Sequence, residues 1–212
     1  MAADTRIAAE FKAGEWEALR TRLVAGEPAA WSEATQRLDD RIRGRYLGHA
    51  RRLLGEPYSG FAVLALDSAV IEALEQFRRG KPSTPRRQCG TYFEAFLTQT
   101  RFKEHFTVAK AALFYETIRC GILHQAEAKE DSLVKKNTTH PVAVLSKSGA
   151  GLIINARLFH NELENAFEDY KQSLTDGTDT KTRRDLRQAF IDKMDSIARR
   201  PSGAGISGVA TP

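Results

Sequence analysis

The sequence predicts a mainly α-helical protein of one domain with a single small β insertion, and three observations predict it. Apolar residues recur at helical intervals through most of the 212 residues, in blocks separated by Gly- and Pro-containing breaks. Only the stretch from Ser132 to Asn155 turns rich in Val and Ile. The length fits one domain, and 42% hydrophobic with 28% charged residues suffices for a core.

Taken in order, residues 1–14 carry no clear apolar stripe and are expected to fray. A short helix follows over Glu15–Val24. In AGEPAAW, Pro28 marks a new helix start, where its missing N–H is harmless. From Pro28 to Leu54, Trp31, Leu38, Ile42, Tyr46 and Leu53 fall on one arc of roughly 80°. Arg37, Arg41, Arg45 and Arg52 line the neighbouring arc, either as a solvated flank or as a phosphate-tracking stripe. GEPYSG breaks the chain before a buried helix over Phe61–Arg79. Asp67 lies inside that helix's apolar arc and needs a partner, because a buried unpaired charge is expensive. Solvent or a backbone N–H is the simple partner; an Arg or His of a site is the functional one.

The basic loop that follows holds Arg78, Arg79, Lys81, Arg86 and Arg87. Helices are then predicted over Thr91–Phe102 and Glu104–Lys129. SLVKK and HPVAVLSKSGAGLIIN predict a small β-hairpin around the Ser-Gly-Ala-Gly break. Asn155 N-caps a helix over Ala156–Leu174, TDGTDT forms a loop, and a last amphipathic helix covers Thr182–Arg200. This divides the chain into an N-terminal helical extension (1–55) packing on a helical domain (56–198), and a flexible tail (199–212).

Several classes are excluded. No run of 18 apolar residues predicts a membrane span, and the N-terminus lacks the pattern of a signal peptide. No P-loop, dinucleotide-binding glycine pattern, HExxH or GxSxG is present. Cys89 and Cys120 are too few for a disulfide framework or a cysteine-rich zinc site, which points to a reduced, cytoplasmic setting with no metal or cofactor. A net charge of +5 permits a polyanionic partner without demanding one.

One stretch stands out, Phe114-Tyr115-Glu116-Thr117-Ile118-Arg119-Cys120-Gly121-Ile122-Leu123-His124-Gln125-Ala126-Glu127. Near the end of an apolar helix it places an Arg, four residues, then a His. Gly121 inside a helix costs about 1 kcal/mol relative to Ala, so a close approach of another helix or backbone should justify it. Read without any relative, His124 compensates a helix dipole and Arg119 pairs with Glu116.

The segment resembles the HEPN domains, the all-helical domains of prokaryotic ribonucleases, toxins and phage-defence proteins. Their signature is Arg, four to six residues, then His near the end of a long helix. The resemblance covers about Phe61 to Leu174 and implies a HEPN-like helical bundle with the hairpin inserted after the motif helix. Glu75 and Arg79 match an acid-then-basic pattern of an earlier helix. The departure is Cys120, where many active members carry a polar residue. The resemblance implies a metal-independent endoribonuclease that leaves a 2′,3′-cyclic phosphate, in a toxin or phage-defence setting. A non-catalytic module binding nucleotide, nucleic acid or a partner protein is the alternative. Arg119 and His124 would be catalytic. Tyr115, Glu116, Gln125, Arg78, Arg79 and Arg86 would contact RNA, with Asp67 and Cys120 behind them.

Residues five apart on a helix differ by about 140°, so one helix presents Arg119 and His124 poorly to a single phosphate. A homodimer placing two such helices face to face is therefore expected, with Gly121 admitting the close approach. An antitoxin or defence-system partner and RNA complete the expected partners.

Overall fold

The computed structural model describes residues 5–136 and 139–199, and the chain is mainly helical. The tail expected from residue 199 onward lies outside the described residues except for Arg199.

Of the segment 1–14 expected to fray, residues 1–4 lie outside the described residues, and the rest is ordered. Strands β1 (Arg6–Ala8) and β2 (Phe11–Lys12) pair antiparallel, burying Ile7, Ala8 and Phe11. The hairpin is held by the arginine stripe of the helix that follows. Arg41 and Arg45 both donate to the Ile7 carbonyl, and the Arg37 guanidinium lies 5.0 Å over the Phe11 ring. A strand end leaves carbonyls that need donors, so three arginines read as either a solvated flank or a phosphate-tracking stripe instead hold the chain's own backbone and ring.

Helix α1 (Ala13–Val24) is followed by one continuous helix, built from α2 (Pro28–Ile42), a π-helical turn (Arg43–Leu47) and α3 (Gly48–Leu53). Then comes α4 (Gly60–Arg79), which Gly80 ends in the left-handed conformation at φ 64. The same glycine lies against α9 (Lys181–Ala198), where an added Cβ would meet the Ala189 Cα at 2.9 Å. The next predicted helix is shorter than expected. α5 (Cys89–Gln99) stops where Thr100 becomes extended and caps a 3₁₀ turn, Arg101–Glu104.

The motif helix also starts late, because Thr107 N-caps it. It comprises α6 (Val108–Leu113), a π-helical turn (Phe114–Arg119) and α7 (Cys120–Gln125). The predicted hairpin is present as β4 (Ala143–Leu145) antiparallel to β5 (Leu152–Asn155). The sheet gains a strand the hairpin reading lacked, β3 (Leu133–Lys135), parallel to β5. The Asn155 side chain accepts from the Leu158 N–H and caps α8 (Ala156–Thr175) as expected.

Two aromatic clusters join these elements into one core. Phe114 stacks on Phe159 at 4.9 Å, and Phe102 packs on the same ring at 4.9 Å. Trp16, Trp31 and Phe77 surround Phe190 at 5.7–6.1 Å, so the N-terminal extension shares its core with the last helix. Such pairs add about 0.5–1.5 kcal/mol each beyond area burial.

The α8–α9 loop turns on Asp176, whose carboxylate accepts from the Thr178 N–H (2.9 Å) and hydroxyl (3.0 Å) and from Arg183 (2.7 Å). The hydrogen bonds from Thr178, with Arg183 behind them, hold this carboxyl below its ordinary value. A lowered carboxyl stabilises the loop while ionised, and that contribution disappears as pH falls below the ordinary range near 3.8. Amide-exchange protection at Thr178 is expected to drop there. In Asp176→Asn that pH dependence should be gone; its persistence would place the acid-sensitive group elsewhere.

Candidate active site

Arg119 closes the π-helical turn and points inward, with its side chain 16% exposed. One terminal nitrogen lies 3.3 Å from Glu72 Oε2 on α4, and the guanidinium sits 5.6 Å from the Tyr115 ring centroid and 5.8 Å from that of Phe93. Its Nε is buried with no hydrogen-bond partner among the described residues. The anionic partner of Arg119 is thus Glu72, forty-seven positions away, while Glu116 is exposed on the helix's outer side.

Glu72 also accepts a weak contact from the Cys89 thiol at 3.8 Å. Burial and the neighbouring Glu72 charge push the Cys89 thiol up, with Arg119 opposing. Tyr115 is pushed up to about 12, first by burial and then by Cys120 and Cys89 beside it. Arg119, Glu72, Tyr115 and the two cysteines therefore form one cluster where α4, the start of α5 and the motif helix meet. Tyr115 and Cys120 join the site as expected. Glu72 and Cys89 join it without any local sequence signal, since nothing in the spacing of α4 marks Glu72 out.

The glycine has a different neighbour from the one expected. The chain leaves the helix at Ala126, left-handed at φ 56, and folds back so that residues 127–129 lie over Gly121. A Cβ there would collide with the Glu127 carbonyl oxygen and stand 3.2 Å from the Lys129 nitrogen. This approach lets the Lys129 N–H reach the Thr117 carbonyl at 2.8 Å, and Ser132 Oγ reach Thr117 Oγ1 at 2.8 Å. Gly121 is therefore filled by its own chain and does not admit the helix of a second copy. The same turn explains why the helix predicted to Lys129 ends at Gln125.

His124 and Gln125 sit exposed in the last helical turn, and His124 makes no hydrogen bond among the described residues. One chain does not bring His124 to Arg119, which faces α4. Arg78 and Arg79 are held by Glu75 at 2.9 and 2.6 Å, and Arg79 lies 4.4 Å over Tyr92. Arg86 is exposed in the α4–α5 loop and forms no ion pair among the described residues.

Asp67 is fully buried and reaches neither solvent nor Arg119. Its Oδ1 lies 2.8 Å from His160 Nδ1 on α8, itself fully buried. His160 Nε2 faces Glu164 at 3.8 Å, and Glu164 is gripped by Arg43 and Arg51 of the first long helix. Burial pushes the Asp67 carboxyl above its ordinary value, against the opposing pull of His160. The partner is a histidine, but of the core.

Among the described residues no three His, Cys, Asp or Glu side chains converge as a metal would require, and no helix is long and apolar enough to cross a membrane. Scans against protein-family models, curated proteins and solved structures give no match.

Proposed function

We propose that this chain is a HEPN-type endoribonuclease that cuts RNA without a metal, through 2′-OH attack to a 2′,3′-cyclic phosphate. The observation that carries the reading is the state of the motif pair. Arg119 is oriented by Glu72 and two rings with N–H donors left over, and His124 stands exposed and unengaged five residues on. A guanidinium fixed before the reaction stabilises charge building on phosphorus without reorganising. An exposed imidazole can take the 2′-OH proton or deliver one to the leaving 5′-oxygen.

Because the two side chains diverge on one helix, the working site is composite: Arg119 of one copy and His124 of another across a two-fold axis. Since residues 127–129 cover Gly121, the second copy must approach the exposed end of α7 rather than its middle. Exposed Arg86 on the α4–α5 loop supplies backbone contact to RNA, and a toxin or phage-defence role with a silencing partner would suit such an activity.

The alternative, a HEPN-like module that binds nucleotide, nucleic acid or protein without cutting, is favoured by Glu72. A resident carboxylate already neutralises Arg119, and Cys120 beside it is a weak hydrogen-bonding group.

End-labelled RNA incubated with the protein in EDTA separates the two. Cleavage with cyclic-phosphate ends is expected, falling about 10²–10⁴-fold in His124→Ala and comparably in Arg119→Ala. Mixing the two inactive variants should restore part of the activity if the site is composite. RNA binding without cleavage by the folded wild type would leave the binding module.

A further inference from the structure

A cavity lies away from the motif pair, between α4, α5, the 3₁₀ turn, α8 and α9. Its volume is about 830 Å³, inside the range of about 300–1,000 Å³ usual for small-molecule sites. Leu74, Phe96, Ala166 and Leu186 supply apolar wall. Polar groups line it from every element, with Glu75, Arg78 and Arg79 supplied by α4. Buried Glu75 binds both Arg78 and Arg79, so two guanidiniums stand over one carboxylate and leave a net positive wall. Beside them Tyr170, only 7% exposed, also lines the cavity, and its hydroxyl has no hydrogen-bond partner among the described residues.

Burial keeps the Tyr170 phenol well above its ordinary value, and Arg78 is the charged group that opposes this. The phenol is therefore a protonated donor with Arg78 nearby, and guanidinium N–H groups are donors only. Two adjacent donor groups, one of them orphaned by burial, call for an acceptor oxygen. Arg101 in the same lining is already taken by Glu162 and Asp169, and Glu104 and Asp185 would repel an anion near them. Arg78 and Tyr170 are thus the groups left to hold the head group.

We infer that this cavity binds a small organic anion, with an aromatic or apolar body between Leu74, Phe96 and Leu186 and a phosphate or carboxylate head on Arg78 and Tyr170. The inference is independent of the ribonuclease reading: it uses neither Arg119 nor His124.

Calorimetric titration of the full chain with 1-naphthyl phosphate, 1-naphthoate and uncharged 1-naphthol tests it. Saturable binding of one molecule per chain is expected for an anionic probe, at least about tenfold tighter than for naphthol. The tighter of the two anions identifies the head group. Arg78→Gln should weaken that probe about tenfold, while Arg184→Gln, an equal loss of charge on the exposed surface, should not. Tyr170→Phe should weaken it severalfold yet leave the thermal midpoint unchanged or raised, since no protein partner is lost. Failure of both anions to bind at millimolar concentration overturns the inference. So does equal affinity for naphthol, or indifference to Arg78→Gln. These results do not depend on whether RNA is cut.

Discussion

Replacing His160 with alanine is expected to remove about 3–5 kcal/mol of folding stability, the range found when one partner of a buried pair is deleted. Asp67 and His160 are both fully buried, and the 2.8 Å contact is the only hydrogen bond of that carboxyl, since its Oδ2 has no partner among the described residues. Without the imidazole, Asp67 has neither water nor a donor, and a cavity opens where the buried ring stood. Glu164 stays engaged by Arg43 and Arg51, so the loss is confined to Asp67 and the void. Urea unfolding of His160→Ala measures it, and a loss below about 1 kcal/mol, near the scale of surface changes, would refute the pairing. The double variant Asp67→Leu/His160→Leu should lose less than His160→Ala, because it removes the polar group with its partner.

Gly121→Ala is a contest between two effects of opposite sign. Helix propensity alone favours alanine by about 0.8–1.0 kcal/mol. Against this, the new methyl would collide with the Glu127 carbonyl and crowd Ala128 and Lys129, all backbone, which cannot swing aside as a side chain would. Overpacking a fitted site costs about 1–3 kcal/mol, and the Lys129–Thr117 hydrogen bond at 2.8 Å would be strained with it. A net loss of up to about 2 kcal/mol is expected after the propensity gain, together with faster amide exchange at Lys129. Since His124 lies in the last helical turn, between Gly121 and the returning segment 127–129, RNA cleavage should fall as well. A variant as stable as the wild type would mean that residues 127–129 yield easily.

Much of the secondary structure was legible in the sequence because helix formation is a local matter. The stripe of α4, the cap at Asn155 and the β4–β5 hairpin each rest on neighbours a few positions apart. Boundaries failed where a single residue decided them: Thr100 and Thr107 as caps, and Ala126 as a left-handed turn that no local pattern announces. The candidate site was legible in part. Arg119, Tyr115, Cys120 and His124 share one helix and its spacing, so they were found together.

By itself, then, the sequence determined a mainly helical chain, a break in period at the β insertion, and a motif helix with an interior glycine needing a reason. Only the tertiary structure decided the partners. Glu72 reaches Arg119 across forty-seven positions and His160 reaches Asp67 across ninety-three. The arginines at 37, 41 and 45 turn to the N-terminal hairpin. β3 joins β5 in parallel, and the segment after the motif folds back over Gly121. The physical reason is common to all of these. A period along the chain tells which face of an element is buried, whereas the atom it meets depends on how distant elements pack, and a buried charge or a bare backbone patch accepts whichever complementary group that packing delivers.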